Sequence, residues 1–160
     1  MTLLYPRDSR TIRRLSPIIL PAPKPPVEKM AGKQKGTVAR EEDEGIAFAL
    51  KCLWLAPKHP CLYFMAHAAN GGHRGKREAA SLVMQGVNPG NPDYFLPDPR
   101  GGYPGWYGEL KRTDATPCAV EGDQRLWASW LADRGYWYGW HSGADAMWDD
   151  LMQYLALPPA

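Results

Sequence analysis

The sequence has no stretch of about 18 consecutive apolar residues, the length a membrane helix needs, and its early apolar run Ile18-Ile19-Leu20 is broken by Pro17 and Pro21. A soluble protein without a secretory signal is expected. Cysteine is scarce as well. Cys52, Cys61 and Cys118 are odd in number and form no C-x-x-C pair, which argues against a disulfide framework or a zinc ribbon and fits a reducing cytoplasm. Cys52, His59, Cys61, His67 and His73 are soft ligands, but their spacings match no standard zinc site, so they read as core thiols and ordinary imidazoles. Positive charge is also missing where a nucleic-acid binder of the bulk-basic kind would carry it. Residues 1–40 hold nine Lys or Arg against Asp8 and Glu28, which leaves residues 41–160 with ten basic and fifteen acidic side chains. Bulk basicity therefore cannot argue for nucleic-acid binding by the body of the chain.

The chain's 160 residues, 44% of them hydrophobic, suffice for one domain with a sizeable core. Residues 1–38 carry six of the sixteen prolines, including Pro21-Ala-Pro-Lys-Pro-Pro26, and show no helical or strand period. They read as a basic arm, disordered or extended, whose charge could help hold phosphates or could simply be solvated. The domain proper is expected over residues 39–160.

From Glu41 the character changes. Glu41-Glu-Asp-Glu44 precedes Ile46, Ala49, Leu50 and Leu53 at helical spacing, and acids at a helix N-terminus suit its dipole. Cys61-Leu-Tyr-Phe-Met65 is a strand candidate and Asn70-Gly-Gly72 a turn. A second helix is predicted from Arg74 to about Gln85, with Ala79, Leu82 and Val83 inward and Gly86 ending it. Two strands follow, Asp93–Leu96 and Trp106–Lys111, joined by a loop. A helix over residues 121–134 carries Leu126, Trp127, Trp130 and Leu131. The strand Tyr136–Trp140 and a last helix, Ala144–Leu155, complete the order α-β-α-β-β-α-β-α. That order predicts an α/β fold with a small mixed sheet flanked by helices. Trp127, Trp130, Trp137, Trp140 and Trp148 follow the faces of these elements and read as core more readily than as a base-stacking platform.

The chemistry concentrates at Asp93, Glu109 and Lys111. Side chains alternate along a strand, so Glu109 and Lys111 share one face while Leu110 takes the other. Asp93 opens the preceding strand directly after Pro92. If the strands pair, Asp93 and Glu109 can converge on a hard cation such as Mg²⁺ or Mn²⁺. Such a cation would activate water for phosphodiester hydrolysis, and a lysine beside it could orient that water or hold a phosphate oxygen. Alone, a Glu-x-Lys on a strand is ordinarily a solvated ion pair.

The surrounding pattern gives it context. Asn70-Gly-Gly72, Gln85-Gly-Val87, Gly90-Asn-Pro-Asp93 leading into Tyr94-Phe-Leu-Pro97, Arg100-Gly-Gly-Tyr103, Glu109-Leu-Lys111, and Gln124 with Trp127 occur in this order. Over residues 41–155 the chain resembles the virus-type replication-repair nuclease (VRR-NUC) branch of the PD-(D/E)XK nucleases.

The resemblance implies a PD-(D/E)XK, restriction-endonuclease-like core acting as a Mg²⁺- or Mn²⁺-dependent endodeoxyribonuclease of the phage or prophage type, in the cytoplasm of a host cell. Branched DNA such as a four-way junction is the implied substrate, cut by a possible homodimer whose candidate interface is Tyr136–Leu155. A flap or nicking nuclease is the alternative enzyme, and a non-cleaving DNA-binding module the alternative of another class. By the same resemblance Asp93, Glu109 and the Leu110 backbone carbonyl would bind metal. Lys111 would be the catalytic lysine, and Gln124 would begin a helix facing the site. The first-helix acid would be Glu41, with Glu44 as alternate, although Gly45 stands where the family usually has glutamine. Asn70, Gly71, Gly72, Arg74, Lys76, Arg77 and Arg100 would contact DNA.

Overall fold

A computed structural model describes residues 38–68, 81–115 and 122–160. In chain order its elements are α1 (Glu41–Leu55), a 3-10 turn (Pro60–Phe64), β1 (Ala66–His67), β2 (Tyr94–Leu96), β3 (Trp106–Lys111), α2 (Gly122–Asp133), β4 (Trp137–Ser142) and α3 (Ala144–Leu155). The strands form one sheet in the order β1-β2-β3-β4, with β1–β2 and β2–β3 antiparallel and β3–β4 parallel. A parallel pair needs a crossover connection, and α2 lies on it. This is the mixed, helix-flanked sheet the sequence predicts. Among the described residues no helix is long and apolar enough to cross a membrane.

The predicted strand Cys61–Met65 is not formed; those residues make the 3-10 turn, and pairing begins only at Ala66. Pro60 starts that turn, where its fixed φ suits helical geometry and its missing N–H costs nothing. The helix predicted from Arg74 lies outside the described residues as far as residue 80. Residues 81–84 are helical, and the segment ends at Gly86, whose φ of +91° glycine adopts without strain. Val83, predicted inward, is exposed. The arm, apart from Val38, also lies outside the described residues.

α1 starts on Arg40, whose amide donates to Asp43 Oδ2 at 3.3 Å, and its first turn holds Glu41, Glu42, Asp43 and Glu44. The buried stripe is not Ile46, Ala49, Leu50 and Leu53 but Phe48, Cys52 and, just past the helix, Ala56. The aromatic ring decides this. Phe48 packs edge-on against Tyr94 at 4.9 Å and stacks with Trp106 at 6.2 Å, a larger apolar contact than Ile46 or Leu53 could make. α2 shows the same split, with Leu131 fully buried while Leu126 and Trp130 stay exposed. Of the tryptophans, Trp106 lies at the centre of the core, and Trp137 and Trp148 pack against it.

The core side of the sheet carries Tyr94, Leu96, Trp106, Gly108 and Leu110, covered by α1 and α3 with Met147, Leu151, Tyr154 and Leu155. Of Tyr136–Leu155, the candidate dimer interface, Met147, Leu151, Tyr154 and Leu155 are buried inside the protomer, while Tyr136–Trp140 are half-buried. A half-buried polar group borders this core. Asp150 accepts the indole N–H of Trp106 at 2.8 Å and that of Trp137 at 3.0 Å, and lies 3.2 Å from His141 Nε2. Burial pushes the Asp150 carboxyl up, but the hydrogen bonds from His141, Trp106 and Trp137 outweigh it and hold the group below its ordinary value.

Gly108 is glycine because the Trp106 ring folds over it; a Cβ there would come within 2.3 Å of that ring and 3.1 Å of the Met147 methyl. Trp106 is fully buried and tied to Asp150, so it cannot yield. Gly108→Ala is expected to destabilise the protein by about 2 kcal/mol or more, measured as the shift in urea midpoint. A shift under about 0.5 kcal/mol would show that the ring can move aside.

Candidate active site

On the opposite face of the sheet, β3 presents Tyr107, Glu109 and Lys111. The β2–β3 register pairs Tyr94 with Gly108, so one further step sets Asp93 opposite Glu109. Asp93 Oδ2 accepts the backbone amide of Leu110 at 2.9 Å, which fixes the aspartate against β3. Glu109 is 1% exposed, and its Oε1 lies 2.6 Å from Lys111 Nζ and also accepts from the Gln124 side-chain amide on α2. Its other oxygen, Oε2, is buried and has no hydrogen-bond partner among the described residues. The structure thus brings Asp93, Glu109, Lys111 and Gln124 together.

The electrostatics follow from this crowding. Burial and the neighbouring Asp93 charge push the Glu109 carboxyl up to about 7, against the opposing pull of Lys111 and with Glu41 adding to the rise. Burial also raises Asp93, although the Leu110 amide and the Lys111 and His67 charges work the other way. Burial pulls the Lys111 ammonium down, but its bond to Glu109 and the charges of Glu109, Glu41 and Asp93 prevail and leave it raised. Tyr138 on β4 is pushed up to about 12 by burial and by the Glu109 and Asp93 charges.

The first-helix acids separate cleanly. Glu44 Oε2 accepts the amide of Ala144 at 2.8 Å and Oε1 accepts the Thr113 hydroxyl, so both its oxygens are engaged in capping α3 and bonding Thr113. Glu41 instead bears electrostatically on both Glu109 and Lys111. Gly45 is explained by packing: Tyr94 donates its hydroxyl to the Gly45 carbonyl at 3.1 Å, and a Cβ at Gly45 would lie 3.1 Å from that oxygen. A glutamine there would have to displace the tyrosine.

Arg100 departs from expectation. Its guanidinium pairs with Asp98 at 2.6 Å, donates to the carbonyls of Leu155 and Leu157 at 3.1 and 3.2 Å, and is largely buried. It clamps the end of α3, and these bonds turn the guanidinium inward. Asn70, Gly71, Gly72, Arg74, Lys76 and Arg77 lie outside the described residues. Tyr138 and the His141–Asp150 pair are hard to see in the sequence, because tryptophan, tyrosine and glycine obscure the alternation of β4.

No family model matches the sequence, and no curated protein matches it. Among solved structures, one described as a VRR_NUC domain protein superposes with a TM-score of 0.63 at 22% identity, covering 76% of this chain and 93% of that one. The fold is the VRR-NUC fold. On this VRR-NUC scaffold, Asp93, one residue before β2, lies opposite Glu109 on β3, and Lys111 lies one alternation further along β3.

A divalent cation fits the residues present. Two carboxylates raised by burial, one with an oxygen lacking a partner, would both be relieved by a hard cation, and the Leu110 carbonyl lies between Glu109 and Lys111 in sequence. Among the described residues no three His, Cys, Asp or Glu side chains form a metal cage, so water would complete the coordination, as suits Mg²⁺ or Mn²⁺. Without metal, the raised Glu109 has a thermodynamic consequence. A carboxyl whose folded pKa exceeds its unfolded value contributes stability that is present below about 4.5 and is lost as pH rises through about 7. The metal-free protein is expected to lose on the order of 3 kcal/mol across this window. Asp150, held low, has no part in it. Thermal melts at pH 5 and 8 measure the loss; Mn²⁺ should restore stability at pH 8, and Glu109→Gln should flatten the slope.

Proposed function

We propose that this chain is a VRR-NUC-type nuclease that hydrolyses phosphodiester bonds in DNA with the aid of Mg²⁺ or Mn²⁺, and that branched DNA is its substrate. The observation that carries the reading is the convergence of Asp93 and Glu109 across β2–β3, with Lys111 against Glu109, on a VRR-NUC scaffold.

Asp93, Glu109 and the Leu110 carbonyl would hold the cation, which when bound lowers the pKa of water and offsets charge on the phosphoryl oxygens. The protein's own groups do the rest. Lys111, 16% exposed and beside the Glu109 carboxylate, is placed to donate to a phosphate oxygen at the site. Gln124 keeps Glu109 from rotating out of the site. Glu41 adds negative charge nearby and favours cation entry. None of these groups reads a base, so selectivity would rest on DNA shape and backbone contacts. The basic residues of 1–38 are candidates for those contacts, and paired cuts on a junction would require two copies.

The test is incubation of purified protein with linear, flap, fork and four-way DNA in Mg²⁺, Mn²⁺ or EDTA. Metal-dependent cutting that favours branched substrates supports the reading. Tight, metal-independent binding without cutting would replace it with a DNA-binding module, and flap cutting that spares the junction would establish the flap nuclease.

A further inference from the structure

Glu109 Oε1 has two donors, Lys111 and Gln124, while Oε2 has none among the described residues. Among the described residues one other buried side-chain polar atom shares this condition, the indole Nε1 of Trp140. The two are complementary, since a carboxylate oxygen only accepts and an indole nitrogen only donates. They are also neighbours. The parallel β3–β4 register pairs Glu109 with Trp140 on one rung, so the side chains leave the same face of the sheet from backbones about 4.8 Å apart. Buried polar atoms are rarely left unsatisfied, and here one hydrogen bond would satisfy both.

We infer that Trp140 is a positioning residue of the active site, its indole N–H donating to Glu109 Oε2. The carboxylate is then gripped on both oxygens, by Lys111 and Gln124 on one and by Trp140 on the other. An ionised carboxylate oxygen has two lone pairs, so Oε2 can take the indole proton and still face a cation. Trp140 would select the orientation in which that second lone pair points toward Asp93. Its effect would fall on cation binding and turnover and leave DNA affinity alone, because it acts only through Glu109. The inference rests on the proposed nuclease reading for its catalytic consequence, but the hydrogen bond itself does not.

The experiment separates the two. In ¹⁵N-labelled, metal-free protein the seven indole N–H signals are recorded, and Trp140→Phe assigns the one in question. Glu109→Gln is expected to shift the Trp140 signal and speed its exchange with D₂O while leaving those of Trp54 and Trp130 in place. A Trp140 signal indifferent to Glu109→Gln would overturn the inference whether or not the protein cuts DNA. Should Trp140→Phe fail to fold, stepwise Mn²⁺ addition to wild-type protein locates the signal instead, because paramagnetic broadening falls first on the indole beside Glu109; broadening of the Glu109 and Leu110 backbone amides with no indole broadened would count equally against it. In cleavage, Trp140→Phe should raise the Mg²⁺ concentration for half-maximal rate about tenfold and lower kcat with KM for DNA unchanged. A raised KM at normal metal dependence would contradict the positioning role.

Discussion

Lys111→Ala should reduce DNA cleavage by about a hundredfold to a thousandfold, the usual cost of losing one donor aimed at developing charge, and should lower thermal stability at neutral pH, where the buried Glu109 loses its counter-charge. The ammonium is partly exposed and bonded only to Glu109 among the contacts described, so no core packing depends on it. Glu109→Gln should be at least as damaging, because it removes the negative charge from the carboxyl that faces Asp93. Single-turnover cleavage at saturating DNA is the measurement, since it isolates the chemical step from product release. Near wild-type turnover in Lys111→Ala would remove the lysine from the mechanism and leave it as the counter-charge of a buried glutamate.

The second large effect lies behind the sheet. Asp150→Ala would leave the indole N–H groups of Trp106 and Trp137 and one nitrogen of His141 without their acceptor in the interior. Asp150 is 22% exposed, and losing the acceptor of part-buried donors costs about 1–3 kcal/mol for each donor stranded. For a domain of this size that lowers Tm by roughly 10 °C or more. Asp150→Asn retains one acceptor oxygen and should cost about half as much. Thermal and urea unfolding in parallel measure both variants. A loss below about 1 kcal/mol would mean that the indoles find other partners once the aspartate is gone.

Much of this architecture can be read from the chain. The α3 boundaries, the β2–β3 pair and the placement of Asp93, Glu109 and Lys111 follow from local pattern, because capping, turn glycines and strand alternation act over a few residues. Helix rotation does not follow. α1 carries one apolar stripe through Ile46 and Leu53 and another through Phe48 and Cys52, and the choice depends on Tyr94 and Trp106, some 46 to 58 residues away in sequence. The same holds for Arg100, a basic residue in a glycine-rich loop that resembles a phosphate contact until the Leu155 and Leu157 carbonyls reach it. The 3-10 turn at Pro60 was hidden by the strand-like composition of Leu62, Tyr63 and Phe64. Glu44 could be told from Glu41 only once α3 had docked its N-terminus on it.

Glu109 is touched from both faces of the sheet: its carboxylate meets Lys111 and Gln124 on one side, and on the other its backbone carbonyl lies 3.3 Å from His141 Nδ1, the ring that also meets Asp150. In a screen that scores activity across every single substitution, changes at His141 or Asp150 should therefore cluster with those at the reacting centre and not with ordinary core positions. Directed evolution of this scaffold would find those two positions closed even after stabilising changes elsewhere had restored the melting temperature. Adjustments to cleavage rate would have to enter through α2 or the first turn of α1, which approach Glu109 without passing through the interior.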